Sequence, residues 1–201
     1  MFLEELLRSP DFGSAVGNLA RPFREQWGLP EVRQLGLVVP DVENAADALA
    51  KRNIGPFFIA VGAPRFWRER GQERRVQGKM ALAHYRGVEL ELLEPLEGSD
   101  FYTPSVDPEG RPVLHHIGFF VEDVDSWADR LARAGYPVWV RGRLGLGPLR
   151  TDFAYMDTVG DVGVMVEFIC WRMFGRRFVP PGPVLRAVGA LERHLGFRLR
   201  A

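Results

Sequence analysis

Two stretches of the chain alternate apolar and polar residues in the same order, and that alternation predicts strands. Residues 33–43 read RQLGLVVPDVE and residues 115–125 read HHIGFFVEDVD. At a spacing of 82, Gln34 falls on His116, Gly36 on Gly118, Asp41 on Asp123 and Val42 on Val124. The match runs on through Asp47 and Asp129, Leu49 and Leu131, Ala50 and Ala132. A second pair, GVELELLEP at 87–95 and GVMVEFICW at 163–171, matches at a spacing of 76 and sets Glu91 on Glu167. The first copy therefore carries about six extra residues. They fall in the charged run FWRERGQERR at 66–75, which reads as a solvated loop.

Each copy predicts a βαβββ module. A β-branched strand ends at Asp41 or Asp123, either of which can cap a following helix. Helical spacing covers Ala45–Lys51 and Trp127–Ala134, with Gly55 or Gly135 as the stop. Extended segments follow at about 57–61, 76–85 and 87–94 in the first copy, and at about 137–141, 151–158 and 163–171 in the second. The expected organisation is an N-terminal helical extension (1–30), module 1 (31–96), a linker (97–112), module 2 (113–173) and a C-terminal helical tail (174–201). Residues 2–27 read as helical segments broken by Pro10, Gly13 and Pro22. The tail has apolar residues at Leu185, Val188, Leu191 and Leu195, an amphipathic period suited to covering the module's own core.

Composition narrows the partners. Basic and acidic residues both number 26, so the net charge is zero and neither a nucleic-acid nor an anionic-membrane partner is expected. With two lysines, Lys51 and Lys79, among 26 basic residues, 24 are arginine. The single cysteine, Cys170, excludes an intrachain disulfide and a thiolate-rich metal site. No apolar run reaches the roughly 18 residues of a membrane span, and MFLEELLRSP lacks the basic start of a signal peptide. A cytoplasmic protein is the expectation.

Four polar residues stand on strands that ought to be dry. Alternate strand residues share a face, so Glu167 lies with Met165 and Ile169, while Val164, Val166 and Phe168 take the other side. Both faces are apolar, which puts a carboxylate in the interior, where an unpaired charge costs several kcal/mol. Glu91 shares its face with Glu89 and Leu93, Gln34 with Val32, Gly36 and Val38, and His116 with Leu114, Gly118 and Phe120. By the repeat these form two equivalent pairs, Gln34 with His116 and Glu91 with Glu167. About a pseudo-twofold axis they converge, and two carboxylates, an imidazole and an amide oxygen suit one divalent ion such as Zn²⁺, Mn²⁺, Co²⁺ or Ni²⁺.

The segments RQLGLVVPDVENA, NIGPFF, VELELLEP, LHHIGFFVEDVDSWADRLARAGYPV and FAYMDTVGDVGVMVEFI resemble the vicinal oxygen chelate superfamily over about 31–171. That superfamily includes glyoxalase I, methylmalonyl-CoA epimerase, extradiol dioxygenases and bleomycin-resistance proteins. The resemblance implies an α+β fold in which two tandem βαβββ modules form a cup-shaped mixed sheet around a metal, with the extra helices at both ends. It implies Gln34, Glu91, His116 and Glu167 as ligands, a set similar to that of glyoxalase I. The implied chemistry is proton transfer next to a carbonyl through a metal-stabilised enediolate, as in an isomerase, epimerase or lyase, on a carbonyl or acyl-thioester substrate. Glu167, the more buried carboxylate, is the expected base, with Glu91 as its partner. A homodimer is the expected assembly. The rival reading is a non-catalytic binder of an antibiotic or aromatic ligand. Extradiol dioxygenases come third, since their His/His/Glu iron site does not fit Gln34. Weaker candidates are His84, expected to be exposed; His115, expected on the face opposite His116; Arg141 and Arg143, as anion contacts; and Phe57, Phe58, Phe119, Trp139 and Tyr155, as pocket walls.

Overall fold

The computed structural model describes residues 1–195 and 199–200. The first copy forms β1 (Gln34–Val38), α4 (Val42–Ala50), β2 (Phe58–Gly62), β5 (Gly78–Tyr85) and β6 (Val88–Leu93), after short helices α1 (Leu3–Leu7), α2 (Phe12–Gly17) and α3 (Arg21–Trp27). The extra residues of this copy form β3 (Phe66–Glu69) and β4 (Gln72–Glu73). The second copy forms β7 (Val113–Phe120), α5 (Val124–Arg133), β8 (Val138–Leu146), β9 (Leu149–Met156), α6 (Val159–Val162) and β10 (Met165–Met173). Beyond it lie β11 (Arg176–Arg177), α7 (Gly182–Leu195) and β12 (Leu199–Arg200). No described helix is long and apolar enough to cross a membrane.

Local chemistry starts both module helices as the repeat predicts. The Asp41 carboxylate accepts from the backbone N–H of Asn44 at 2.8 Å, and that of Asp123 from Asp125 and Ser126 at 3.0 and 3.2 Å. The stops differ between copies. Gly135, at φ 99°, ends α5, but α4 ends through Asn53 at φ 60°, not Gly55. Asparagine tolerates the left-handed region well enough to serve there. At the N-terminus Gly13 lies inside α2, and the actual breaks fall at Pro10 and at Ala20, whose φ is 50°.

The strands run β12-β2-β5-β6-β1-β7-β10-β9-β8-β3-β4, with β1 and β7 antiparallel at the centre. Both modules thus pair within one chain. The outer face carries the larger core, where Leu3, Phe12 and Phe23 of the first three helices meet Leu35, Leu37, Ile117, Phe119, Val166 and Phe168. The inner face carries two smaller clusters, one around Trp67, Phe101, Phe153 and Met165, the other around Phe58, Leu82, Ile169, Trp171 and Leu185. Through Leu185, α7 covers the second inner cluster, and its Glu192 carboxylate accepts from the backbone N–H of Ile59 at 2.7 Å.

The run at 66–75 is not a solvated loop. It is a hairpin that pairs β3 with β8, turning through Arg70 and Gly71 at φ 47° and 81°. Trp67 and Glu69 point inward, 5% and 7% exposed, because side chains alternate across even a short strand. This pairing also shows why the sheet is a cup. Gly62 ends β2 near one end of the strand order, yet Phe66, four residues on, pairs with β8 near the other end. Four residues span at most about 14 Å. The sheet must therefore curl until its far strands nearly meet, and the hairpin straps the gap.

Removing either helix cap tests the origin of the module helices. Asp41→Ala and Asp123→Ala should each lower unfolding free energy by about 1 kcal/mol in urea denaturation. Unchanged midpoints for both would show that the caps contribute nothing.

Candidate functional site

The four central strands, β6, β1, β7 and β10, each contribute one of the sequence-derived candidates to the inner face. Glu91, His116 and Glu167 offer ligand atoms that all lie within 4.8 Å of one another, and all three residues are buried. His116 Nε2 is 3.1 Å from Glu167 Oε2 and 3.3 Å from Glu91 Oε2. Gln34 lines the same cavity as Glu91 and Glu167. Gln34 Oε1, Glu91 Oε2, His116 Nε2 and Glu167 Oε2 are each buried without a hydrogen-bond partner.

Two glycines let these side chains meet. Gly36 is the lateral partner of both Glu91 and His116, and Gly118 of both Gln34 and Glu167. A Cβ at Gly36 would fall on the imidazole of His116, and one at Gly118 would come within 2.8 Å of Gln34 Cβ and 2.9 Å of Gln34 Oε1. Neighbouring strands are about 4.8 Å apart, so side chains flanking a strand converge only by leaning over it. A residue without Cβ makes that possible. Gly36 and Gly118 were visible in the repeat, two positions after Gln34 and His116, but their part in the site was not.

A bulge decides where His115 goes. Gly36 pairs with His116 and Leu37 with Leu114, so His115 is the extra residue of β7. The extra residue breaks the alternation, and the expectation that His115 faces away from His116 is overturned. His115 Nδ1 lies 3.2 Å from His116 Nδ1, and its ring packs edge-on against Phe101 and Tyr102. Burial, and then the charge of His116, lower its pKa to about 3, so it is neutral at ordinary pH. If His116 presents Nε2 as a ligand atom, its Nδ1–H donates to His115 Nδ1 and the tautomer is set.

Glu89 is a site residue that the alternation noticed without assigning a role. The Gln34 side-chain amide donates from Nε2 to Glu89 Oε1 at 2.6 Å, which turns Gln34 Oε1 the other way. Burial raises the Glu89 pKa to about 8 against the pull of that bond. Burial also raises Glu167, to about 6, with His116 drawing it back. For His116 burial acts downward, but the two carboxylates, Glu167 foremost, outweigh it and raise the pKa to about 9. Tyr102 and Tyr155 share a hydrogen bond at 3.1 Å, and both phenols are raised by burial and the nearby carboxylates.

The cavity beside these groups measures about 740 Å³, its open mouth included. Of the aromatics expected to wall it, Tyr155 does, whereas Phe57 and Phe119 belong to the outer core. Phe58 lines an adjoining hollow, and Trp139 packs at the margin of an inner cluster under the Arg70 guanidinium. Trp67, Tyr102, Phe153 and Trp171 were missed. Alternation from Tyr155 and Glu167 points to Phe153 and Trp171, but no local pattern marks Tyr102 in the linker. Arg141 and Arg143 do not face the cavity. On the outer side of β8 they pair with Asp125 and Asp152 at 2.7 Å. His84 is half-buried beside Gly182 at the start of α7, not exposed, because the tail folds back over β5.

The model of the family described as "Glyoxalase/Bleomycin resistance protein/Dioxygenase superfamily" matches residues 33–155. No curated protein matches the sequence. Among solved structures, a hypothetical protein from Bacillus halodurans C-125 is similar at 17% identity and a TM-score of 0.44, over 69% of this chain and 92% of that one. A methylmalonyl-CoA epimerase in complex with methylmalonyl-CoA and NH4+ is similar at 19% identity and 0.43, over 70% and 94%. The methylmalonyl-CoA epimerase from Mycobacterium tuberculosis follows at 15% and 0.38, over 69% and 85%.

Gly36→Ala should cost about 2 kcal/mol of stability by overpacking against His116. Gly17→Ala, in a helix where a Cβ meets nothing within 4 Å, should be neutral or slightly stabilising. Equal thermal midpoints for the two variants would refute the crossing geometry. The metal-free protein should also lose stability as pH rises from about 6.5 to about 9. His116 and Glu89 both bind a proton more tightly folded than unfolded, with folded pKa values of about 9 and about 8 against 6.5 and 4.5. The stabilisation is complete below the lower value of each and gone above the higher. His115 acts oppositely, but only between about 3 and 6.5. Urea midpoints that rise across the alkaline window would contradict this.

Proposed function

Because the chain belongs to the glyoxalase/bleomycin resistance protein/dioxygenase superfamily, we propose that it is a divalent-metal enzyme that transfers a proton at a carbon next to a carbonyl, an epimerase or isomerase. One observation carries this reading: Gln34 Oε1, Glu91 Oε2, His116 Nε2 and Glu167 Oε2 are all buried and all lack a hydrogen-bond partner. Gathering these four atoms in the interior is costly, the ion-pair contacts of His116 with Glu167 and Glu91 at 3.1 and 3.3 Å offsetting only part of it, and a divalent cation held by all four would remove the rest. Two carboxylates neutralise its charge, and the mixed oxygen and nitrogen set suits Zn²⁺, Mn²⁺, Co²⁺ or Ni²⁺.

When bound, the ion supplies Lewis acidity that polarises a substrate carbonyl. The side chains of the protein do the rest. Glu167, buried at the polar end of the cavity, is placed to take a proton from the substrate and to return it. Glu91, on the partner module, stands across His116 from it and serves the opposite face of a planar intermediate. Glu89 orients the amide of Gln34, and His115 orients the imidazole of His116. The strap and α7 limit the access of water to the inner face.

A second reading, a binding protein without chemistry, is favoured by the preponderance of apolar side chains on the cavity wall. Metal analysis of the purified protein separates the two. One equivalent of divalent metal, lost in His116→Gln and Glu167→Gln, is expected together with deuterium exchange from solvent into an α-carbon of a carbonyl substrate. Glu167→Gln should slow that exchange by roughly 10²-fold or more. Failure to retain any divalent metal would sink the enzyme reading. Metal retention with no exchange would leave a metal-containing binder.

A further inference from the structure

The wall of the cavity says what kind of molecule it receives, an inference that rests on reading this cavity as the substrate site. The chain has 24 arginines, and among the described residues none of them lines it. Lys79 is the one cationic residue among the described lining. Its Nζ is already 3.3 Å from Glu43 and 3.8 Å from Glu94. The remaining wall is built from Trp67, Leu93, Phe153, Ile169 and Trp171, with Thr151 among them. The polar atoms collect instead at the Gln34, Glu91 and Glu167 end.

The apolar space does not stop there. Ala60, Met80, Leu144, Thr151 and Trp171 line both this cavity and an adjoining hollow of about 420 Å³ that reaches Phe58, Leu82 and Leu149. A ligand filling both is longer than its metal-facing group. Its far body meets mainly hydrocarbon and aromatic faces, with Thr151 the polar residue among them.

An anion placed along this wall would lose its hydration and gain no guanidinium from the described lining, whose one ammonium, Lys79, is already engaged by Glu43 and Glu94. The arginines that might have served, Arg141, Arg143 and Arg150, are engaged with Asp125 and Asp152 on the outer side of the sheet. A carboxylate or phosphate on the body of the ligand is therefore selected against. An aromatic or alicyclic body is selected for, since offset contact with Trp67, Phe153 and Trp171 adds to its burial.

We propose that the ligand is an uncharged carbonyl compound with a bulky apolar body, aromatic or alicyclic, its oxygens at the Glu91–Glu167 end and its ring along the tryptophan-lined wall. Anionic acyl donors, acyl-CoA thioesters among them, are then poor ligands.

The test is isothermal titration of the full-length protein, metal-loaded and metal-free, with three compounds. They are 1-phenyl-1,2-propanedione, the same dione carrying a carboxylate at the para position of its ring, and propionyl-CoA. The neutral dione should bind at least tenfold more tightly than either anion. Met80→Lys, which places an unpaired cation at the junction of the two hollows, should narrow or reverse the gap between the two diones. A para-carboxylate or CoA compound that binds as tightly as the neutral dione overturns the proposal, as does a dione that does not bind at all. Metal retention is measured separately. Preference for the neutral dione in a protein that holds no metal refutes the catalytic reading and leaves the ligand class standing.

Discussion

Two carboxylates and an imidazole held together out of water constrain the architecture around them. Glu91, His116 and Glu167 come from three different strands of two sequence-related modules, and each is almost completely buried. Such a group persists only when its surroundings supply compensation. Neighbouring residues do part of this: His115 faces the free nitrogen of His116, and Glu89 holds the amide of Gln34. Gly36 and Gly118 provide the room, because a single Cβ on either would occupy space the site needs.

The duplicated module explains why these residues can gather at all. Antiparallel pairing of β1 with β7 places the two copies about a pseudo-twofold axis, so equivalent positions face the same inner surface. The symmetry is then broken to make the site useful. One copy offers Gln34 where the other offers His116, and only β7 carries the bulge that brings a second histidine inward. The other large asymmetry is the strap, which belongs to module 1 but pairs with module 2. Through Trp67 it joins the aromatic groups of both modules in one cluster with Phe101 and Phe153.

Polar and apolar functions are segregated inside the cup. Charge and hydrogen-bonding capacity lie at one end, and the rest of the wall is hydrocarbon and aromatic. Most of the arginines that the composition advertises lie elsewhere, on the exterior. Asp152 there draws Arg143 and Arg150 into ion pairs at 2.7 Å. A neutral overall charge thus conceals a strongly apolar interior beside a strongly charged exterior.

What could be read from the chain alone was whatever is written in consecutive residues or in the repeat. Alternation identified the strands and their faces, Asp41 and Asp123 announced the helix starts, and the two spacings singled out Gln34, Glu91, His116 and Glu167 before any fold was known. Tertiary structure alone decided the bulge at His115, the pairing of Glu89 with Gln34, the strap made by residues 66–73 and the place of Tyr102 opposite Tyr155. The physical reason is the same in each case. These features depend on register between strands and on the curl of the sheet, which join residues some 50 to 80 positions apart, and no local period records them.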